Sequence, residues 1–233
     1  MMILEANNVT KEFLRKRADS NVFCAVKDAH LILKEGTLTA LAGRSGSGKS
    51  TLLHMLAGLL KPSSGRILLK GQDLYGLDDR AQSALRNKEI GIVPQGQSAL
   101  QALTVRENIV MPFSLCRTGA PDDGEITERA EALMKRLGIT DLADAMPREL
   151  SGGELRRMAI ARAAVMKPGV ILADEPTADL DDENTKIVLD MLKELSREGT
   201  AVLLVTHERD ALPYADEVYR MQDGKPLPEK DKN

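Results

Sequence analysis

"TLTALAGRSGSGKSTLLHMLAGLL", residues 37–60, decides the fold of this chain. It opens as an apolar, β-prone run, crosses a loop of glycine and serine, and closes as a helix-forming stretch. The loop matches G-x-x-x-x-G-K-[ST], with Gly43, Gly48, Lys49 and Ser50 at the fixed places. A plain glycine-rich turn also joins a strand to a helix. The lysine and hydroxyl at this spacing add a chemistry that a plain turn lacks. Glycines let backbone N–H groups curl round phosphate oxygens, and the following helix presents its positive dipole end. Lys49 then suits the β- and γ-phosphates and the Ser50 hydroxyl suits Mg²⁺.

Working outward, strands are expected at 2–10 and 23–33, with a charged loop between them. The run 37–43 is a strand and 50–60 a helix, followed by the turn "KPSSG" (61–65) and a strand and turn at 66–74. A helix at 78–88 leads to the strand "EIGIVPQ" (89–95). From about 97 to 167 the pattern becomes helical: "TVRENIVMPFSLC", "EITERAEALMKRLG" and "ELSGGELRRMAIARA". Strand character returns in "GVILADEP" (169–176), a helix covers 182–199, and "TAVLLVTH" (200–207) and "EVYRMQDGK" (217–225) are the last strands. "PLPEKDKN" (226–233) reads as a tail without regular structure. Strand–loop–helix units therefore bracket a helical block. "VILA" and "VLLV" are continuous aliphatic runs, as expected where helices cover both faces of a parallel sheet. Ligands of such sheets bind beyond the C-terminal ends of the strands.

Those ends carry the remaining chemistry. "VILADEP" ends in two adjacent carboxylates. Beside a phosphate loop, Asp174 suits the Mg²⁺ shell and Glu175 the activation of the attacking water. His207 ends another strand, and Gln95, whose amide can orient water and touch Mg²⁺, ends a third. In "LSGGE", Ser151 and Glu154 have capping-box spacing. Gly152 and Gly153 are costly in a helix, at roughly 1 kcal/mol each relative to alanine. Bare α-carbons at a helix N-terminus expose N–H groups to an anion. The chain's own phosphate loop fills a different helix end, so this second site must bind another anion, or the same nucleotide from the other side. If that anion is a nucleotide phosphate, Gly153→Asp should leave the fold and ATP binding largely intact while abolishing hydrolysis.

The bulk properties agree and exclude several classes. The chain has 233 residues, 42% hydrophobic and only 3% aromatic, so aliphatic side chains must build one sizeable core. A net charge of −3 offers no electrostatic footprint for nucleic acid, and "KEFLRKR" (11–17) reads as a solvated loop. Cys24 and Cys116 make no disulfide framework, which fits a reducing compartment. "MMILEANNVT" lacks the order of a signal peptide, and the longest aliphatic runs are too short to span a bilayer. Direct membrane insertion is not expected.

In this order, "GRSGSGKST", Gln95, "LSGGE", "ILADEP", "TADLD" and His207 resemble the nucleotide-binding subunit of ABC transporters, over residues 3 to 225. The resemblance implies an α/β P-loop NTPase core with a mainly parallel sheet, an N-terminal antiparallel β subdomain and an inserted α-helical subdomain. Within one ABC ATPase domain (1–233), residues 1–96 and 161–225 would form the core, 97–160 the helical part and 226–233 the tail. It implies ATP and Mg²⁺ as ligands and an integral membrane permease as partner. It also implies a head-to-tail homodimer, or a pair with a related ATPase, sandwiching two ATPs. The location implied is the cytoplasmic face of the membrane. Carried over, Gly43, Ser45, Gly46, Ser47, Gly48, Lys49, Ser50 and Thr51 hold phosphates and metal. Asp174 and Gln95 serve the metal, Glu175 is the general base, and His207 contacts the γ-phosphate. Ser151, Gly152 and Gly153 face the partner's γ-phosphate, and Asp179 lies in a loop crossing the interface. Phe13 takes the place of the aromatic that stacks on adenine.

More finely, "LRNKEIGIVPQ", "LTVRENIVMP" and "ELSGGELRRMAIARA" resemble the lipoprotein-releasing and macrolide-efflux branch, with antimicrobial-peptide exporters nearby. "PQGQSALQALTV" lacks the aromatic and proline often found there, and "TADLD" stands for the more usual "TGNLD". A regulatory ABC ATPase that signals to a membrane partner without moving cargo would carry the same ATP site. A DNA-maintenance role lacks the coiled coil, zinc cysteines and basic face it needs.

Overall fold

The computed structural model describes residues 1–14, 22–96, 98–115 and 122–229. Cys116, Gln97, the end of the basic cluster at 15–17 and the last four residues lie outside them.

A four-stranded antiparallel sheet, ordered β2-β1-β4-β5, is built from β1 (Met2–Leu14), β2 (Val22–Lys34), β4 (Ser64–Leu69) and β5 (Gln72–Asp73). The six-stranded sheet is ordered β10-β9-β3-β8-β7-β6. It contains β3 (Leu38–Ala42), β6 (Ile90–Val93), β7 (Val170–Asp174), β8 (Ala201–Thr206), β9 (Glu217–Gln222) and β10 (Lys225–Pro228). Its first five strands in chain order run parallel and β10 is antiparallel to β9. The helices are α1 (Lys49–Leu56), α2 (Asp79–Glu89), α3 (Val105–Ser114), α4 (Asp123–Arg136), α5 (Gly152–Ala164) and α6 (Asp182–Arg197). The α/β architecture expected from the sequence is the one observed.

Alternation along the central strands divides the core. Val202 and Leu204 of β8 join Leu38, Ile171 and Ala173 against α3, α4, α5 and α6. Ala201, Leu203 and Val205 face the other way, with Leu41, Val170 and Leu172, against α1 and the antiparallel sheet. Both faces of β7 and β8 are thus covered, which is why their sequences are unbroken aliphatic runs. The helical block shares its core with one face of the sheet, and α5 runs unbroken through the boundary drawn at residue 160.

Local signals set the helix ends. Asp78, Thr104, Asp122, Ser151 and Asp181 each accept a backbone N–H at an N-cap, and Thr104 and Ser151 complete capping boxes. The expected last strand, 217–225, is instead a hairpin, and part of the expected tail is its second strand. Asp223 and Gly224, with φ of 49° and 78°, make the two-residue turn, so Pro226 pairs with Met221. The Asp-Gly signal for this turn is present in the sequence. The two prolines are tolerated because β10 is an edge strand.

Candidate functional site

The C-terminal ends of β3, β7 and β8 converge on one cavity of about 1480 Å³. Its lining includes the whole loop Gly43–Thr51, with Gln95, Glu175 and His207. The loop enters α1 through Gly48, whose φ is 103°. A Cβ there would lie 2.2 Å from the Ala25 carbonyl oxygen of β2. Gly48 therefore answers to both backbone conformation and close approach.

Lys49 is 6% exposed and folds back over its own loop. Its ammonium donates to the Gly43 and Arg44 carbonyls at 2.8 and 3.2 Å and lies 3.8 Å from Glu175 Oε1. Ser50 Oγ donates to Asp174 Oδ1 at 3.2 Å. Burial pushes the Asp174 carboxyl above its ordinary range; the Ser50 bond and nearby His54 oppose the shift without cancelling it.

Glu175 follows directly on β7 with φ of 49°, a conformation costly for a residue with a side chain. Its N–H donates to the Val205 carbonyl at 2.9 Å, which holds the turn against β8. Oε2 accepts the His207 N–H at 3.3 Å and lies 2.8 Å from His207 Nδ1. The imidazole is 59% exposed and the carboxylate 8%, so the histidine forms the open side of a buried acid. A cation, a carboxylate and an imidazole thus converge beside a loop of backbone donors, the parts list of phosphoryl transfer.

A model of the ABC transporter family matches residues 26–178. The chain belongs to the ABC transporter family. It is 39% identical over 224 residues to the lipoprotein-releasing system ATP-binding protein LolD of Hydrogenovibrio crunogenus, covering 96% of this chain and 95% of that one. It is 43% identical over 195 residues to the Pseudomonas fluorescens protein of the same name, covering 83% and 85%. The dimeric structure of MJ0796, a bacterial ABC transporter cassette, superposes with a TM-score of 0.90 at 32% identity, covering 99% of this chain and all of that one. A post-hydrolysis state of MJ0796 bound to ADP and Pi gives 0.89 at 33%, with the same coverage.

Not every residue read from the sequence lines this cavity. Ser151 and its glycines sit at the N-terminus of α5, outside the lining. Ser151 N–H and Oγ both donate to Glu154 Oε2, at 2.7 and 2.8 Å, and hold that carboxyl below its ordinary range. The two glycines separate. A Cβ on Gly152 would meet nothing within 4 Å, whereas one on Gly153 would lie 2.5 Å from Asn184 Cγ and Oδ1. Gly152 is the one with open space. The bare α-carbon of Gly153 also accommodates α6, so the expectation that Gly153→Asp leaves the fold undisturbed is revised. Asp179 is exposed, with φ of 62°, and also lies outside the lining.

Phe13 stands directly across from Phe23 in the β1–β2 ladder. Phe23 lines the cavity, while Phe13 does not and carries the Lys11 ammonium 5.4 Å over its ring. Sequence reasoning named Phe13 and missed Phe23, because only strand register puts the two rings on one face.

Proposed function

We propose that this chain binds and hydrolyses ATP to energise a separate membrane permease, and that two copies, or this chain and a related one, act head-to-tail. The observation that carries this reading is the convergence of Lys49, Glu175 and His207 on the loop at the ends of β3, β7 and β8. Ser50 Oγ and Asp174 Oδ1, at 3.2 Å, are hard oxygen donors of the kind that hold Mg²⁺ together with substrate phosphates. When bound there, the ion neutralises charge on the β- and γ-oxygens.

The chain's own residues do the rest. The loop amides and Lys49 hold the phosphates, and the ammonium exchanges its carbonyl partners Gly43 and Arg44 for phosphate oxygens. Glu175 takes a proton from the water that attacks the γ-phosphorus, leaving ADP and phosphate. His207, beside that carboxylate, steadies it and reaches the γ-phosphate, while Gln95 orients the water. The Phe13–Phe23 pair offers the base a stacking surface. Each α5 N-terminus lies outside its own cavity, so its open Gly152 is free to meet a phosphate held by the partner. Lipoprotein release is the transport task we favour, because the LolD protein of Hydrogenovibrio crunogenus matches nearly end to end. No helix among the described residues is long and apolar enough to cross a membrane, so the cargo path belongs to the permease.

Glu175→Gln tests the reading. Hydrolysis should fall roughly 10²–10⁴-fold, with ATP still bound and the protein trapped as a dimer. A variant that keeps full turnover and stays monomeric with ATP overturns the assignment.

A further inference from the structure

The nucleotide cavity contains a residue that its own strand does not hold in place. Gln95 follows β6 after Pro94 and, like Gly96, is exposed. Its anchor comes from a helix far away in sequence. Arg156 Nη1, on α5, donates to the Pro94 carbonyl at 2.8 Å, across 62 residues. The far end of the same loop is tied to the same helix: Arg162 Nη1 donates to the Ser98 carbonyl at 2.8 Å and Nη2 meets Ser98 Oγ. Both guanidinium groups are partly buried, and burial pulls both below their ordinary range. For Arg156, Asp179 and then Asp174 act against that shift, so both carboxylates lie within electrostatic reach. One guanidinium on the helix that begins with Ser151 therefore touches the loop of Gln95 and feels the Asp179 and Asp174 carboxylates.

We propose that Arg156 is a positioning residue of the hydrolytic site, which sets Gln95 by holding the Pro94 carbonyl and keeps the Gln95 loop in register with α5. The proposal rests on the reading of Gln95 as a group that orients the attacking water. Proline has no N–H, so residue 94 is fixed through its carbonyl or through the sheet before it. β6 ends at Val93, one residue short. The Arg156 bond is charge-assisted and directional, and it acts on the peptide unit joining Pro94 to Gln95. Arg162 also lines the groove of about 760 Å³ bounded by α2, β6, α3 and α5. The tether at Ser98 thus puts that groove and the Gln95 loop on one rigid helix.

The test compares Arg156→Ala, Arg156→Lys, Gln95→Ala and the Arg156→Ala/Gln95→Ala double variant in the full chain. The readouts are kcat and KM for ATP hydrolysis. Arg156→Ala should lower kcat roughly ten- to a hundredfold, the cost of misplacing a group by about 1 Å, with KM little changed. The double variant should be no slower than Gln95→Ala, because Arg156 acts through Gln95. Arg156→Lys, which keeps the charge and loses the fork, should fall between and carries the test if the alanine variant does not fold. Multiplied effects in the double variant, or wild-type kcat in Arg156→Ala beside a slow Gln95→Ala, overturn this proposal alone. Wild-type turnover in Gln95→Ala overturns the reading of Gln95 and this proposal with it.

Discussion

Gly152 and Gly153 are adjacent, both helical and chemically identical, yet replacing each with alanine should give different proteins. At Gly152 the new methyl meets nothing within 4 Å. At Gly153 it lies 2.5 Å from Asn184 Cγ and Oδ1 and 2.9 Å from Nδ2, closer than such contacts occur. Asn184 cannot simply swing away, because Nδ2 donates to both Asp181 carboxylate oxygens at 2.9 Å and its N–H donates to Oδ1 at 2.7 Å. Both substitutions share the gain of alanine over glycine in a helix, so that contribution cancels in the comparison. What remains is overpacking, about 1–3 kcal/mol. For a chain of this size that corresponds to Gly153→Ala melting lower than Gly152→Ala by roughly 2–12 °C. Calorimetry or chemical denaturation without nucleotide measures the gap. Asn184→Ala should abolish it, because the methyl then has room. Equal stabilities of the two glycine variants, or a gap that survives Asn184→Ala, would refute the packing argument. Activity should rank the other way relative to stability: on the proposed function, Gly152→Ala, which folds well, still loses ATP hydrolysis, since its methyl would enter the open space where we propose a partner's phosphate binds.

Two further outcomes follow from the geometry. Replacing Phe13 and Phe23 together with alanine should weaken nucleotide binding by about 1–3 kcal/mol, the value of stacking one base; a fluorescent-nucleotide titration reads it, and unchanged affinity places the base elsewhere. Asp216 joins β3 to α6, with Oδ2 accepting the Leu38 N–H at 2.9 Å and Oδ1 taking the Lys193 ammonium at 2.5 Å. Burial alone would raise its pKa, but Lys193 and Leu38 outweigh burial and hold the carboxyl below its ordinary range. A depressed carboxylate stabilises the fold above its unfolded pKa, and that contribution is lost as the pH falls through the folded value. Asp216→Asn should therefore be less stable at pH 7, by no more than about 1 kcal/mol given its solvent screening. The deficit should close below about pH 4; a pH-independent deficit refutes the charge argument.

The sequence by itself determined the local features. A glycine-lysine-serine loop between an apolar strand and a helix needs no tertiary context, because its backbone geometry and charge lie within nine residues. The same holds for the capping boxes at Thr104 and Ser151 and for the aliphatic runs that mark buried parallel strands. Even the Asp-Gly turn of the last hairpin was legible, although its second strand read as tail. Tertiary structure alone decided what sheet order and helix packing bring together. Placing β3 between β8 and β9 sets Glu175 and His207 beside Lys49, and pairing β1 with β2 puts Phe23 across from Phe13. Packing α5 against β6 and α6 gives Pro94 its arginine and Gly153 its asparagine. These contacts join residues 10 to 126 positions apart, at distances that depend on how whole faces stack. No periodicity encodes them, so the two glycines of "LSGGE" looked alike until α6 was seen to lie against only one.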